Sequence, residues 1–239
     1  MTRMIRYLLQ LVAQKYKGKQ YQLDKTLPLS ALFGLAYRRG IGAMRCIVRG
    51  VALRPSRLIF VSASVELRNR SYIRFGKGVT LGKGVVVDGL SREGIIIDGG
   101  VNIGPYTVIE ASGIITDLGK GIRIGEFSGI GGFSFVGGAG GVVIGRNVIM
   151  GQYVSFHPEN HLFSNTSVPI RTQGVTRQGI TVEDDCWIGA KVTFLDGAHV
   201  GMGCVIAAGA VVRGVIPPYS IAAGVPARVI RSRKGSVVS

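Results

Sequence analysis

Few side chains in this chain are suited to acid–base chemistry. It has three histidines in 239 residues, and two of them, His157 and His161, bracket Glu159 and adjoin Asn160. Two chemistries suit such a group. A histidine titrates near working pH and can take a proton from a hydroxyl; alternatively, the imidazoles and carboxylate could ligate a metal. Zinc needs three or four ligands in fixed geometry, and H-x-x-x-H converges on a helix but not on a strand or loop. The spacing therefore argues against metal, and no metal is expected. His199 stands at a turn with no companion in sequence and is assigned no role. Cys46, Cys186 and Cys204 are widely spaced and lack a C-x-x-C pair, so neither a disulfide framework nor a zinc ribbon is expected. A reducing compartment, and hence a cytoplasmic location, fits that usage. The G-x-S-x-G elbow and the G-x-x-x-x-G-K-[ST] loop do not occur, which removes the common serine-hydrolase and nucleotide-hydrolase motifs.

The charge points to an anionic partner. Net charge is +16, and residues 1–58 carry twelve Lys or Arg against the single acid Asp24. A phosphate-bearing cofactor, an anionic membrane surface or nucleic acid would each answer it. Nucleic acid is disfavoured, because no helix-turn-helix, ribonucleoprotein or zinc-finger signature accompanies the charge and aromatics do not interleave with the basic residues. Near the start, Met4, Leu8 and Leu11 with Ile5, Leu9 and Val12 have helical spacing, with basic residues on the remaining face. Residues 1–60 thus read as a membrane-surface or partner-docking segment, or as a cap that shields the edge of the folded body. The longest uncharged apolar stretch there, 26–37, is too short to span a bilayer, and no signal-peptide pattern precedes it.

What positions these residues is a repeat of six. Aliphatic side chains recur as Ile97, Ile103, Ile109, Ile115; then as Ile124, Ile130, Val136, Val142, Val148, Val154; then as Val182, Ile188, Phe194, Val200, Ile206, Val212. Leu67, Ile73, Val79 and Val85 form a looser early run. Six is a multiple of two, so every marked side chain lies on one face of an extended chain. Small residues follow many of them, among them Gly104, Gly131, Gly189 and Ala207, as suits a corner where backbones pass closely. Three short sides would close a triangular coil whose interior is stacked Ile and Val. A β-sandwich would instead space its strands at roughly 8–12 residues. The repeat is interrupted at about 162–180, around Pro169, Gly174 and Gly179, and an excursion that long in a regular coil usually carries function.

The repeat, the interruption after Asn160-His161, the resumption at Asp185-Cys186-Trp187-Ile188-Gly189-Ala190, and the ending Ile216-Pro217-Pro218 through Ala223-Gly224-Val225-Pro226-Ala227-Arg228-Val229-Ile230 together resemble the hexapeptide-repeat acetyltransferases over about residues 65–232. The nearest likeness is to the maltose and galactoside O-acetyltransferases and to the acetyltransferases of exopolysaccharide and capsule synthesis. The resemblance implies an all-β left-handed parallel β-helix, with a basic, partly helical cap over 1–62, the acyltransferase domain over 63–232 and a tail over 233–239. It implies a homotrimer that binds acetyl-CoA between subunits, the 162–180 loop reaching the neighbour, and transfer of an acetyl group to a carbohydrate hydroxyl. By position, His161 matches the family's catalytic base, and Asn160, His157 and Trp187 fall around the acceptor. The Ala190 N–H matches a donor to the thioester oxygen. Ala208 matches a position along the pantetheine arm, while Arg213, Arg228 and Arg231 fall near positions that hold CoA phosphates.

The acceptor is less settled. Where sugar-acetylating relatives carry an acceptor-binding asparagine and aspartate, this chain has Gly131 and Ala139, and the glycine-dense stretch 129–141 leaves room for a larger acceptor such as a lipid-linked glycan at the inner membrane face. An N-acyltransferase acting on an amino sugar or nucleotide sugar, and a non-catalytic scaffold, are the alternatives.

Overall fold

The computed structural model describes residues 7, 8, 10, 11, 14, 22–24, 26–48 and 58–234. Of the early helical pattern, Leu8 and Leu11 are helical, and Met4, Ile5, Leu9 and Val12 lie outside the described residues.

From Phe60 onward the chain winds as a three-sided coil. Each turn lays one strand of mostly two or three residues on each of three faces, and each strand pairs in parallel with the same face of the next turn. The first face runs from Phe60–Val61 to Ser220–Gly224 and is closed by the antiparallel strand Ala227–Ser232. The second runs from Glu66–Arg68 to Val211–Val212, and the third from Ile73–Phe75 to Val215–Ile216. In the late turns the register is eighteen residues, three hexads, as in the pairing of Trp187 with Val205 and of Thr193 with Val211.

Inward side chains stack turn upon turn. Ile97, Ile103, Ile109, Ile124, Ile130, Val136, Val142, Val148, Val154, Val182, Ile188, Phe194, Val200, Ile206 and Val212 are all essentially inaccessible. Phe156 and Phe194 lie on paired strands and stack with ring centroids 4.5 Å apart inside the coil. Glycine after an inward residue serves close approach: a Cβ on Gly131 would sit 2.2 Å from the Gly151 carbonyl oxygen, and one on Gly189 would sit 2.4 Å from the Ala208 nitrogen. One expected core position is wrong. Ile115 is 82% exposed, because the chain leaves the coil after Ala111 and returns only at Ile122, so its six-residue spacing from Ile109 is coincidental.

The edges between faces are unequal. The edges between first and second face and between third and first face are crossed by tight turns, whereas the edge between second and third face varies. It is crossed by 89–94, then 111–121, then only 138–141, then 158–179, then 196–198. The short glycine-rich crossing at 138–141 therefore lies between two long excursions. That geometry leaves a notch one turn high.

At the start of the coil, helix α1 (Leu29–Val48) packs its Leu32, Gly42 and Cys46 side against the first strand. The absence of a side chain at Gly42 permits this, since a Cβ there would already lie 3.3 Å from the Val61 nitrogen. Arg39 reaches over the Phe60 ring and donates to Thr80 Oγ1 at 2.8 Å. No helix among the described residues is long and apolar enough to cross a membrane.

Candidate active site

The long excursion is built rather than loose. Asn160–His161 pairs antiparallel with Val175–Thr176, making a hairpin that projects from the edge, and a 3-10 turn, Ile170–Thr172, shapes its tip. Its return is anchored by Asp196, only 8% exposed, whose Oδ1 accepts the backbone N–H groups of Gln178 (2.8 Å) and Gly179 (2.9 Å). Its stem is tied to the excursion below. Arg177 Nε donates to Glu159 at 2.7 Å and its Nη1 pairs with Asp117 at 2.8 Å, and Arg92 joins Asp117 from the other side at 3.0 Å. The Arg177 side chain is 18% exposed, so this bridge spans the notch with less solvent screening than a surface pair would have.

His161 opens onto two clefts. The lower one, about 520 Å³, occupies the notch and is lined by Glu110, Phe135, Gly137, His157, Glu159 and Arg177 as well as His161. The upper one, about 1070 Å³, runs from Asn160 and His161 past Leu195 and Asp196 to Arg213. A single column of the second face explains why these residues meet. Glu110 pairs with Gly137 and His157 pairs with Leu195, while Arg213 follows Val212, the partner of Phe194. Gly137 removes one side chain from the column. The Phe135 ring fills part of that space and stacks on His157, centroids 5.7 Å apart. Burial against this ring holds the His157 imidazole below its ordinary pKa, which favours the neutral form.

The residues expected at the site fall into two groups. His157, Asn160, His161 and Arg213 converge on the edge between second and third face. Trp187, Arg228 and Arg231 lie on the first face, all exposed. Ala190 and Ala208 stack on the edge between first and second face, where the Gly209 N–H bonds the Ala190 carbonyl at 2.9 Å. Within one chain the structure does not bring this second group to His161. Sequence reasoning missed Arg177, Asp117 and Asp196, which hold the hairpin, and also Glu110 and Phe135. An acid or an arginine inside an irregular excursion carries no periodic signal. His199, expected to stand alone, has its Nε2 2.8 Å from Glu183 Oε1. Among the described residues no group of His, Cys, Asp and Glu is placed to hold a metal ion.

Comparison with known proteins bears on this geometry. Residues 179–214 match the family described as bacterial transferase hexapeptide (six repeats). A provisionally named acetyltransferase of Mycobacterium tuberculosis is 40% identical over 93 residues, which is 39% of this chain and 31% of that protein. The Escherichia coli protein WbbJ, provisionally named a lipopolysaccharide biosynthesis O-acetyl transferase, is 26% identical over 209 residues, covering 82% of this chain and 92% of its own. Among solved structures, a variant of AntD, an N-acyltransferase from Bacillus cereus bound to dTDP-4-amino-4,6-dideoxyglucose and coenzyme A, superposes with a TM-score of 0.50 at 18% identity, over 75% of this chain and 83% of that one. Fold and repeat together define a left-handed parallel β-helix protein. More particularly, residues 179–214 carry the hexapeptide repeat of that transferase family, and over most of its length the chain is similar to a protein named as an O-acetyl transferase.

Proposed function

We propose that this protein transfers an acyl group from an acyl-CoA, acetyl-CoA in the first instance, to a carbohydrate hydroxyl, with His161 as general base. The observation that carries the reading is the position of His161 on a braced hairpin between two clefts, so that one imidazole can face a donor above and an acceptor below. The acceptor hydroxyl gives its proton to the imidazole as its oxygen attacks the thioester carbonyl. The C–S bond then breaks, and CoA leaves as the thiol with the proton returned by the histidinium. Arg213 faces the donor cleft, where a guanidinium suits the phosphates of CoA. From another copy, Trp187 would complete the acceptor site, and the Ala190 N–H, Ala208, Arg228 and Arg231 the donor site, which makes the working unit an oligomer, a homotrimer by family likeness. Polysaccharide or lipid-linked glycan biosynthesis, with peripheral membrane contact through the basic front end, is the setting we favour. The name of WbbJ supports it, as does the glycine-lined cleft of about 520 Å³.

The reading is tested by thiol release from acetyl-CoA with a panel of oligosaccharide acceptors, alongside calorimetric titration with CoA. His161→Ala is expected to lower turnover by about 10²–10⁴ while leaving CoA affinity intact, and Arg213→Ala to weaken CoA binding in a salt-dependent manner. A wild-type protein that binds neither CoA nor acetyl-CoA would overturn the proposal.

A further inference from the structure

Helix α1 carries an apolar face that covers nothing among the described residues. Its coil-facing side is Leu32, Arg39, Gly42 and Cys46. On the opposite side, at helical spacing, stand Phe33 (54% exposed), Tyr37 (70%), Gly40, Met44 (58%) and Ile47 (58%), with Val48 (81%) at the end. A Cβ added at Gly40 would meet nothing within 4 Å among the described residues, which leave the middle of this stripe open. A globular protein does not ordinarily leave five large apolar side chains aligned on one exposed helix face.

The surrounding charge indicates the occupant. The helix contains no Asp or Glu, and Arg38 and Arg45 lie along one margin of the stripe. Residues 1–58 as a whole hold twelve basic residues and one acid. A protein partner would need its own apolar groove and a surplus of acids, whereas a bilayer with anionic headgroups supplies both an apolar layer and negative charge. Basic side chains beside the stripe would meet phosphates while Phe33, Tyr37 and Met44 enter the acyl boundary.

We infer that α1 is an interfacial helix that docks the protein on an anionic membrane surface through the Phe33–Tyr37–Met44 stripe, its opposite side staying packed on the first turn of the coil. This gives the peripheral contact in our functional reading a defined surface, but it rests on the helix and not on the chemistry at His161. The two can fail separately.

The full chain is sedimented with vesicles of pure phosphatidylcholine and with vesicles containing a quarter phosphatidylglycerol, at low and high salt, in wild-type form and as Phe33→Ser/Tyr37→Ser/Met44→Ser. Its thermal melt and its CoA affinity are followed in parallel. We expect co-sedimentation with the anionic vesicles only, weakened by salt, and at least tenfold weaker for the triple variant with melt and CoA affinity unchanged. Equal binding by variant and wild type would overturn the inference, as would failure of the wild type to bind anionic vesicles. A change of oligomeric state in the triple variant would overturn it too, assigning the face to contact between copies. Should the triple variant melt early, Tyr37→Ser alone, at the most exposed ring, is read by the same criteria.

Discussion

At the scale of single residues, the candidate site depends on the groups that brace its hairpin. Arg177 joins Glu159, the neighbour of Asn160, to Asp117 on the excursion below, and its fork makes a separate contact to each carboxylate. Arg177→Gln removes the charge that balances both acids. Breaking a fully buried pair costs roughly 3–5 kcal/mol, but these carboxylates are 45% and 28% exposed, so about 1–2 kcal/mol in urea unfolding is expected. Arg177→Lys should recover only part of it, since an ammonium lacks the planar fork. His157 supplies a second test. Burial lowers its folded-state pKa beneath the ordinary 6.5, so the native state resists the imidazolium and its stability is penalised as pH falls through that value. The His157 ring resonance should therefore titrate with a midpoint below 6.5 by NMR, and an ordinary midpoint would contradict the shielding by Phe135. Cys186 is different. Burial pushes its thiol up to about 11, which makes it a poor nucleophile at neutral pH and leaves it a core residue.

At the scale of elements, the hairpin is held at both ends of its excursion. Asp196→Ala would leave the Gln178 and Gly179 N–H groups without their acceptor in a poorly solvated corner, at about 1–3 kcal/mol. Hydrogen exchange at those two amides is expected to accelerate well before the coil amides do, and acyl transfer to fall with it as His161 loses its fixed place. Unchanged exchange at Gln178 would show that the hairpin does not depend on this anchor. The same physics decides which parts of the fold are legible in the sequence. The Ile and Val series predicts the coil because each buried hexad imposes the same steric demand. The break before Ile180 shows as the place where that demand stops. The crossing at 112–119 does not show, because its Ile115 keeps the phase of Ile109 while pointing to solvent. For the same reason the notch, which depends on one short crossing between two long ones, is placed only by the fold. The excursion's inner ties, Arg177 to Asp117 and Asp196 to the Gln178 backbone, join residues far apart in sequence with no period to mark them. His161 and Arg213 are found by likeness, and only the column through His157 and Leu195 shows why they share an edge.

At the scale of the whole molecule, a solenoid is held together turn by turn, each turn touching only its neighbours. The excursion at 158–179 enters where one turn must meet the next across 38 residues of chain, from Ser155 to Thr193. Across that gap the largest shared side chains are Phe156 and Phe194, both fully buried. Phe194→Ala would remove a ring from the joint and cost about 3–5 kcal/mol, most of it as lost coupling between the turns below the excursion and those above. Trp187, the only tryptophan, sits above the joint and reports on the upper turns, whereas far-UV circular dichroism reports on the entire coil. In the wild type the two probes should give one coincident urea transition. In Phe194→Ala the tryptophan transition should move to lower urea and separate from the dichroism, with the upper turns and Arg213 lost first. Coincident transitions in the variant would mean that the coil unfolds as one unit despite the excursion, and that the hairpin with its Arg177 and Asp196 ties carries the coupling in place of the aromatic stack.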